Sequence, residues 1–158
     1  MTVPNKIRIQ RIPEYHTESV GRSIDGRQFM GFVLQAREND LPLTRKDPFR
    51  VYAVLYTFDP DGNLLSTDHW FAGIRRGGTV EDAVLFEQAD ARLNQMLATL
   101  GIFEFVDVEV RLFSVRIDGI LFGLVDATYE ESGRVYERIE LTPNDIVFQA
   151  PYDGSYDT

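Results

Sequence analysis

In the stretch Val51–Phe58 (VYAVLYTF) Val51, Ala53, Leu55 and Thr57 point one way and Tyr52, Val54, Tyr56 and Phe58 the other, so both faces are apolar. A strand of this kind belongs inside a sheet, covered on both sides. Pro60-Asp61-Gly62 follows, with Pro presetting φ, Asp able to bond its own backbone and Gly free to turn left-handed, as in a type I turn with a bulge. The region Val51–Ala72 therefore predicts a long β-hairpin around which the rest is built.

Upstream, Lys6–Ile12 alternates charged and apolar residues and predicts a half-buried strand ended by Pro13. Val20–Gln35 predicts a second hairpin turning at Asp25-Gly26 with both turn residues at positive φ, and its Phe29, Met30, Phe32, Val33 and Leu34 supply core. Gly31 within that run marks either a bulge or a large neighbour crossing close to the backbone. Residues 37–50 hold Pro42 and Pro48 and predict a loop, with Leu41, Leu43 and Phe49 anchoring it as a packed cover.

Downstream, Gly73–Gly78 is a basic, glycine-rich connection into a helix over about residues 79–100. Thr79 is the expected N-cap, and Asp82 stands where an N3 side chain reaches back. Leu85, Ala89, Leu93, Met96, Leu97 and Leu100 recur at spacings of three and four, and Gly101 is suited to a left-handed cap. With one apolar stripe, the helix is expected on one face of the sheet.

Between Glu104 and Leu112 the even positions Val106, Val108, Val110 and Leu112 are apolar, and from Phe113 the odd positions Phe113, Val115 and Ile117 are, which predicts a β-bulge near Leu112–Ser114. Asp118-Gly119 and Ser132-Gly133 are further turns. Ile24-Asp-Gly and Ile117-Asp-Gly form a weak internal echo, read as a shared turn solution rather than a duplication. At the end of the chain Tyr152 and Tyr156 are expected to pack while the last residues fray. The fold class predicted is α+β: a mostly antiparallel, twisted sheet built of hairpins with one amphipathic helix packed on it, in a single domain spanning residues 1–158.

Cysteine is missing from the sequence, so disulfides and thiolate chemistry are excluded. No apolar run reaches signal-peptide or membrane-span length, so a cytoplasmic protein with no membrane partner is expected. Charge is uneven: residues 1–78 carry eleven Lys or Arg against nine Asp or Glu, and residues 79–158 five against sixteen. A net charge of −9 opposes duplex DNA binding, which needs clustered cations, and favours a basic protein partner.

Little in the sequence carries catalysis. Asp59-Pro-Asp61-Gly-Asn63 begins like a calcium loop, but Leu64 and Trp70 stand where that loop needs Gly and Glu. His69 and Trp70, the sole tryptophan, lie just ahead of Arg75 and Arg76 and form the candidate ligand site. In a strand His69 shares a face with Thr67 and Phe71, so Asp68 is turned away from its imidazole. The Arg75-Arg76-Gly77-Gly78 run precedes a helix N-terminus, where free amides suit an anion. Serine elbow and HExxH patterns are absent; no catalytic residue, metal ligand or cofactor is assigned.

The blocks Asp68–Gly73 (DHWFAG), Ile117–Leu124 (IDGILFGL) and Leu141–Thr158 (LTPNDIVFQAPYDGSYDT), with Gln28–Val33 (QFMGFV), resemble a group of small acidic bacterial proteins labelled formate hydrogenlyase regulatory protein. The resemblance runs from Gln28 to the last residue and brings no catalytic or ligand residue with it. It implies a regulatory role. This chain has neither a recognition-helix pair nor a basic face, so the regulation it implies works through protein contact.

Two functions are therefore weighed. The first is a non-enzymatic bacterial regulatory or interaction protein, inhibitor or immunity-like, whose acidic surface, including Glu104, Asp107 and Glu109, meets a basic partner. The second is a small-ligand binding protein or minor enzyme centred on His69, Trp70, Arg75 and Arg76. Convergence of those four on one concave pocket would favour the second.

Overall fold

The computed structural model describes residues 3–37, 48–78 and 80–158. Four strands open the chain: β1 (Lys6–Ile9), β2 (Val20–Ser23), β3 (Gln28–Arg37) and β4 (Phe49–Phe58). They are followed by β5 (Leu64–Arg75) and α1 (Val80–Ala98), then β6 (Phe103–Phe105), β7 (Val108–Arg111), β8 (Phe113–Ile117) and β9 (Ile120–Asp126). The last are β10 (Tyr129–Glu131), β11 (Arg134–Tyr136), β12 (Ile139–Thr142) and β13 (Ile146–Phe148). Every strand pairing is antiparallel, and α1 is the one helix among the described residues, so the fold is α+β.

The main sheet has the order β5-β4-β3-β2-β6, with β4 flanked on both edges and buried on both faces from Val51 to Tyr56. On one face Phe29, Val51, Ala53 and Leu55 pack against Ala89, Leu93, Met96 and Leu97 of α1. On the other, Met30, Phe32, Tyr52, Val54, Tyr56 and Phe58 meet a second β-layer. That layer comprises the β1-β7 pair and the sheet β13-β12-β9-β8, which contribute Ile7, Val110, Phe122, Leu141 and Phe148 among others. The molecule is thus layered as helix, sheet and sheet, and burial of these apolar faces is the main stabilising term.

Several local expectations meet a different outcome. At Leu112 the chain does not bulge; it leaves the β1 partnership and enters the β8-β9 sheet, so the change of hydrophobic phase is a change of sheet. Gly31 is not a bulge either, since β3 and β4 pair continuously through Gly31 and Leu55. A Cβ at Gly31 would stand 2.9 Å from Leu93 Cδ1, so the helix crossing close to the backbone is what requires glycine there. The two Ile-Asp-Gly turns are built differently. Asp118 and Gly119 both have positive φ, 52° and 79°, whereas in the β2-β3 turn only Gly26 does. Gly26 N donates to Ser23 O and Ser23 N to Arg27 O, a type I turn with a glycine bulge in place of the expected pair of positive-φ residues.

The C-terminal residues do not fray. Val147 and Asp157 exchange backbone hydrogen bonds of 2.9 Å, Gln10 N donates to Gly154 O, and Tyr156 OH lies 2.8 Å from Thr17 Oγ1. The expected N-cap at Thr79 and most of the expected loop, including Leu41, Pro42 and Leu43, lie outside the described residues.

Candidate functional site

The arms of the β2-β3 hairpin differ in length, four residues against ten. Pairing runs from Arg22–Gln28 to Val20–Met30, and Gly31 N donates the last bond, 2.9 Å, to Ser19 O. The chain before Ser19 then swings away through a turn in which Glu18 N donates to Tyr15 O. Buried Thr17 holds that turn. Its hydroxyl donates to Gln10 O at 2.7 Å and accepts from Ile12 N at 3.1 Å.

Between this turn, the freed edge of β3 and the turn at Pro143–Asp145 lies an open cleft of about 630 Å³. Four carboxylates line it, those of Glu14, Glu18, Asp90 and Asp145. Among the described residues none of the four forms an ion pair. Burial raises the Asp90 carboxyl above its ordinary value. The lining also holds Arg75, whose Nη1 donates to Gln35 Oε1 at 3.0 Å, and the imidazole of His16. His16 sits edge-on to Tyr15, with ring centroids 4.4 Å apart. Asn144 also lines the cleft, and its Oδ1 is buried without a hydrogen-bond partner among the described residues.

The four residues singled out in the sequence as a ligand site do not gather there. His69 is exposed on β5 on the same face as Tyr52 and Phe71. Trp70 faces the helix layer, with the Arg92 guanidinium 5.7 Å from its ring. Arg75 reaches the cleft. The side chain of Arg76 is exposed, while its backbone N donates to Asp82 Oδ1 at 3.1 Å. Gly77 N donates to Asp82 Oδ2 at 2.9 Å, so the chain's own carboxylate holds the amides that precede the helix.

Of the three acidic residues of the 104–109 stretch, Glu104 is exposed on the outer strand β6. Asp107 accepts from both Arg8 Nε, at 3.1 Å, and Arg11 N, at 2.8 Å, and these bonds with the Arg8 charge pull its carboxyl below the ordinary value against the opposing effect of burial. Glu109 lies 3.7 Å from Lys6 Nζ. Neither imidazole is hydrogen-bonded to a carboxylate among the described residues, and no group of three or more His, Asp or Glu side chains among them is arranged to hold a metal ion. No described helix is long and apolar enough to cross a membrane.

Glu14, Glu18, Asp90 and Asp145 are scattered over more than 130 positions and share no motif in the sequence. The signal that points to them is the unequal arms around Asp25-Gly26, because a long arm paired with a short one leaves an edge uncovered. No protein-family model, curated protein or solved structure compared with this chain matches it.

Proposed function

We propose that this chain is a non-enzymatic interaction protein that recognises a basic partner by charge and acts as a regulator or inhibitor. One observation carries the reading: a cleft of about 630 Å³ lined by four carboxylates without ion-pair partners among the described residues. Carboxylates massed around a concavity focus negative potential and accelerate encounter with a cation. Glu104 is exposed on β6 opposite Arg22 of β2, whereas Asp107 and Glu109 already spend part of their charge on Arg8 and Lys6. The regulatory resemblance in the sequence agrees with a role through contact.

The test compares two sets of neutralised variants of equal charge change. One set is Glu14→Gln, Glu18→Gln, Asp90→Asn and Asp145→Asn; the control is Glu81→Gln, Glu87→Gln, Glu130→Gln and Glu131→Gln, all exposed. Binding to a fluorescent oligolysine is measured over a salt series, with thermal unfolding as a check on folding. The cleft set is expected to weaken binding about tenfold or more and to flatten the salt dependence, the control set by less than about threefold. Equal losses in the two sets overturn the reading, because charge would then act without a site.

A further inference from the structure

We propose that the uncovered edge of β3 at Val33 and Gln35 receives an extended, lysine- or arginine-bearing segment of another polypeptide as an added strand. This rests on the charge-recognition reading and names the site and the form of its partner.

Backbone groups of alternate residues along a strand point to the same edge. Gly31 N points toward Ser19, so the N–H and C=O groups of Val33 and Gln35 point that way too, into the cleft. Among the described residues they have no backbone partner on that side. Four backbone groups are therefore aligned at the spacing that a passing strand needs.

The other edges of this sheet are protected. Strand β6 is only three residues long, and β5 departs from regular register twice, at Val51/Tyr52 and Thr57/Phe58 of its neighbour. Short edges and bulges are the usual devices against unwanted pairing. The freed part of β3 has neither, pairing regularly with β4 from Gln28 to Arg37 and carrying neither Lys nor Pro between Phe32 and Gln35. An unblunted edge inside a cleft is a template for strand addition.

Charge selects the occupant. Side chains of an added strand alternate between the two faces of the sheet. On the helix face they meet Asp90 and Leu93, and on the side of the second β-layer they meet Phe32, Leu34 and Asp145, with Glu14 and Glu18 in the neighbouring wall. Arg75 opposes a cation, but the four carboxylates of the lining outnumber it. Apolar floor with carboxylates on both sides matches a segment that mixes basic and aliphatic residues.

The experiment uses the full chain and capped heptapeptides: alternating Lys and Val, alternating Glu and Val, and two forms of the first N-methylated on its odd or on its even residues. The Lys-Val peptide is expected to bind salt-dependently and to slow amide exchange at Val33 and Gln35. One N-methylated form should bind at least about tenfold more weakly and the other nearly as well as the parent, since only one edge of the peptide meets β3. Equal binding by both forms, or protection that spares Val33 and Gln35, overturns strand addition and leaves the charge reading standing. No preference for the Lys-Val over the Glu-Val peptide at low salt overturns both. Concentration-dependent protection of these amides without peptide assigns the edge to a second copy of the chain and overturns the proposal.

Discussion

The hydroxyl of Tyr52 donates a 2.7 Å hydrogen bond to Asp118 Oδ2, tying the central strand β4 to the β8-β9 turn of the second β-layer. Arg50 completes the junction: its Nε donates to Tyr52 OH at 2.7 Å, its Nη2 lies 3.3 Å from Asp118 Oδ2, and its guanidinium lies 4.1 Å from the centre of the Phe71 ring. The Tyr52 hydroxyl, and after it Arg50, holds the Asp118 carboxyl below its ordinary value. A carboxylate with a lowered folded pKa adds stability at neutral pH that is lost as pH falls through that folded value. Tyr52→Phe is therefore expected to lower Tm by about 2–5 °C at pH 7, and the gap to the parent should close on acidification below about pH 4. Thermal unfolding from pH 7 to pH 2 measures this; a gap independent of pH would deny the hydrogen bond its role.

Tyr56 presents the opposite case. It is fully buried between the two β-layers, its ring centre is 4.8 Å from that of Phe113, and its hydroxyl has no hydrogen-bond partner among the described residues. Burial pushes its pKa far above the ordinary value. Tyr56→Phe removes a desolvated hydroxyl at little loss of packing, so it should stabilise the protein by about 1 kcal/mol. With the folded pKa raised, the parent loses further stability as pH rises through the unfolded tyrosine value near 10, so the advantage of the variant grows there. Urea denaturation at pH 7 and pH 10.5 checks both statements, and a destabilised variant would contradict them.

Gly31 and Leu93 form a pair that should show coupling. A methyl group at Gly31 would lie 2.9 Å from Leu93 Cδ1, closer than carbon atoms approach without one of them moving. Leu93 is held among Phe29, Val51 and Leu55, which limits its retreat. Gly31→Ala is expected to cost about 1–3 kcal/mol in the parent and distinctly less in a Leu93→Ala background. Additive losses in a double-mutant cycle would show that the backbone, and not the helix contact, rejects the side chain.

The elements legible in the sequence are those whose partners lie close along the chain. The two-faced apolar pattern of Val51–Phe58 marks a central strand because covering both sides is its only way to leave water, and Pro60-Asp61-Gly62 places the turn that follows. At Leu112 the pattern reports a change of buried face but cannot report which partner causes it, since moving to another sheet and inserting one residue shift the phase alike. The candidate cleft was less legible still. Asp90 lies on a helix, Glu14 on a turn and Asp145 on another turn, and each reads as ordinary solvated charge until the topology sets them around β3. Conversely, His69 and Trp70 attract notice by being adjacent, but neighbours on a strand face opposite ways.

Asp82 decides what the basic loop before the helix can bind. The carboxylate is buried and accepts hydrogen bonds from Arg76 N and Gly77 N at 3.1 and 2.9 Å, occupying the place an external anion would take at these amides. In the parent, added phosphate should therefore leave the amide resonances of Arg76 and Gly77 unmoved. Asp82→Ala removes the acceptor and is expected to destabilise the protein by about 1–3 kcal/mol, with faster exchange of both amides. In that variant millimolar phosphate should shift the two resonances and recover part of the lost Tm, because an anion would stand in for the missing carboxylate. Phosphate-induced shifts of the same size in the parent would mean that Asp82 leaves the amides free, and the loop would then be an anion site in its own right.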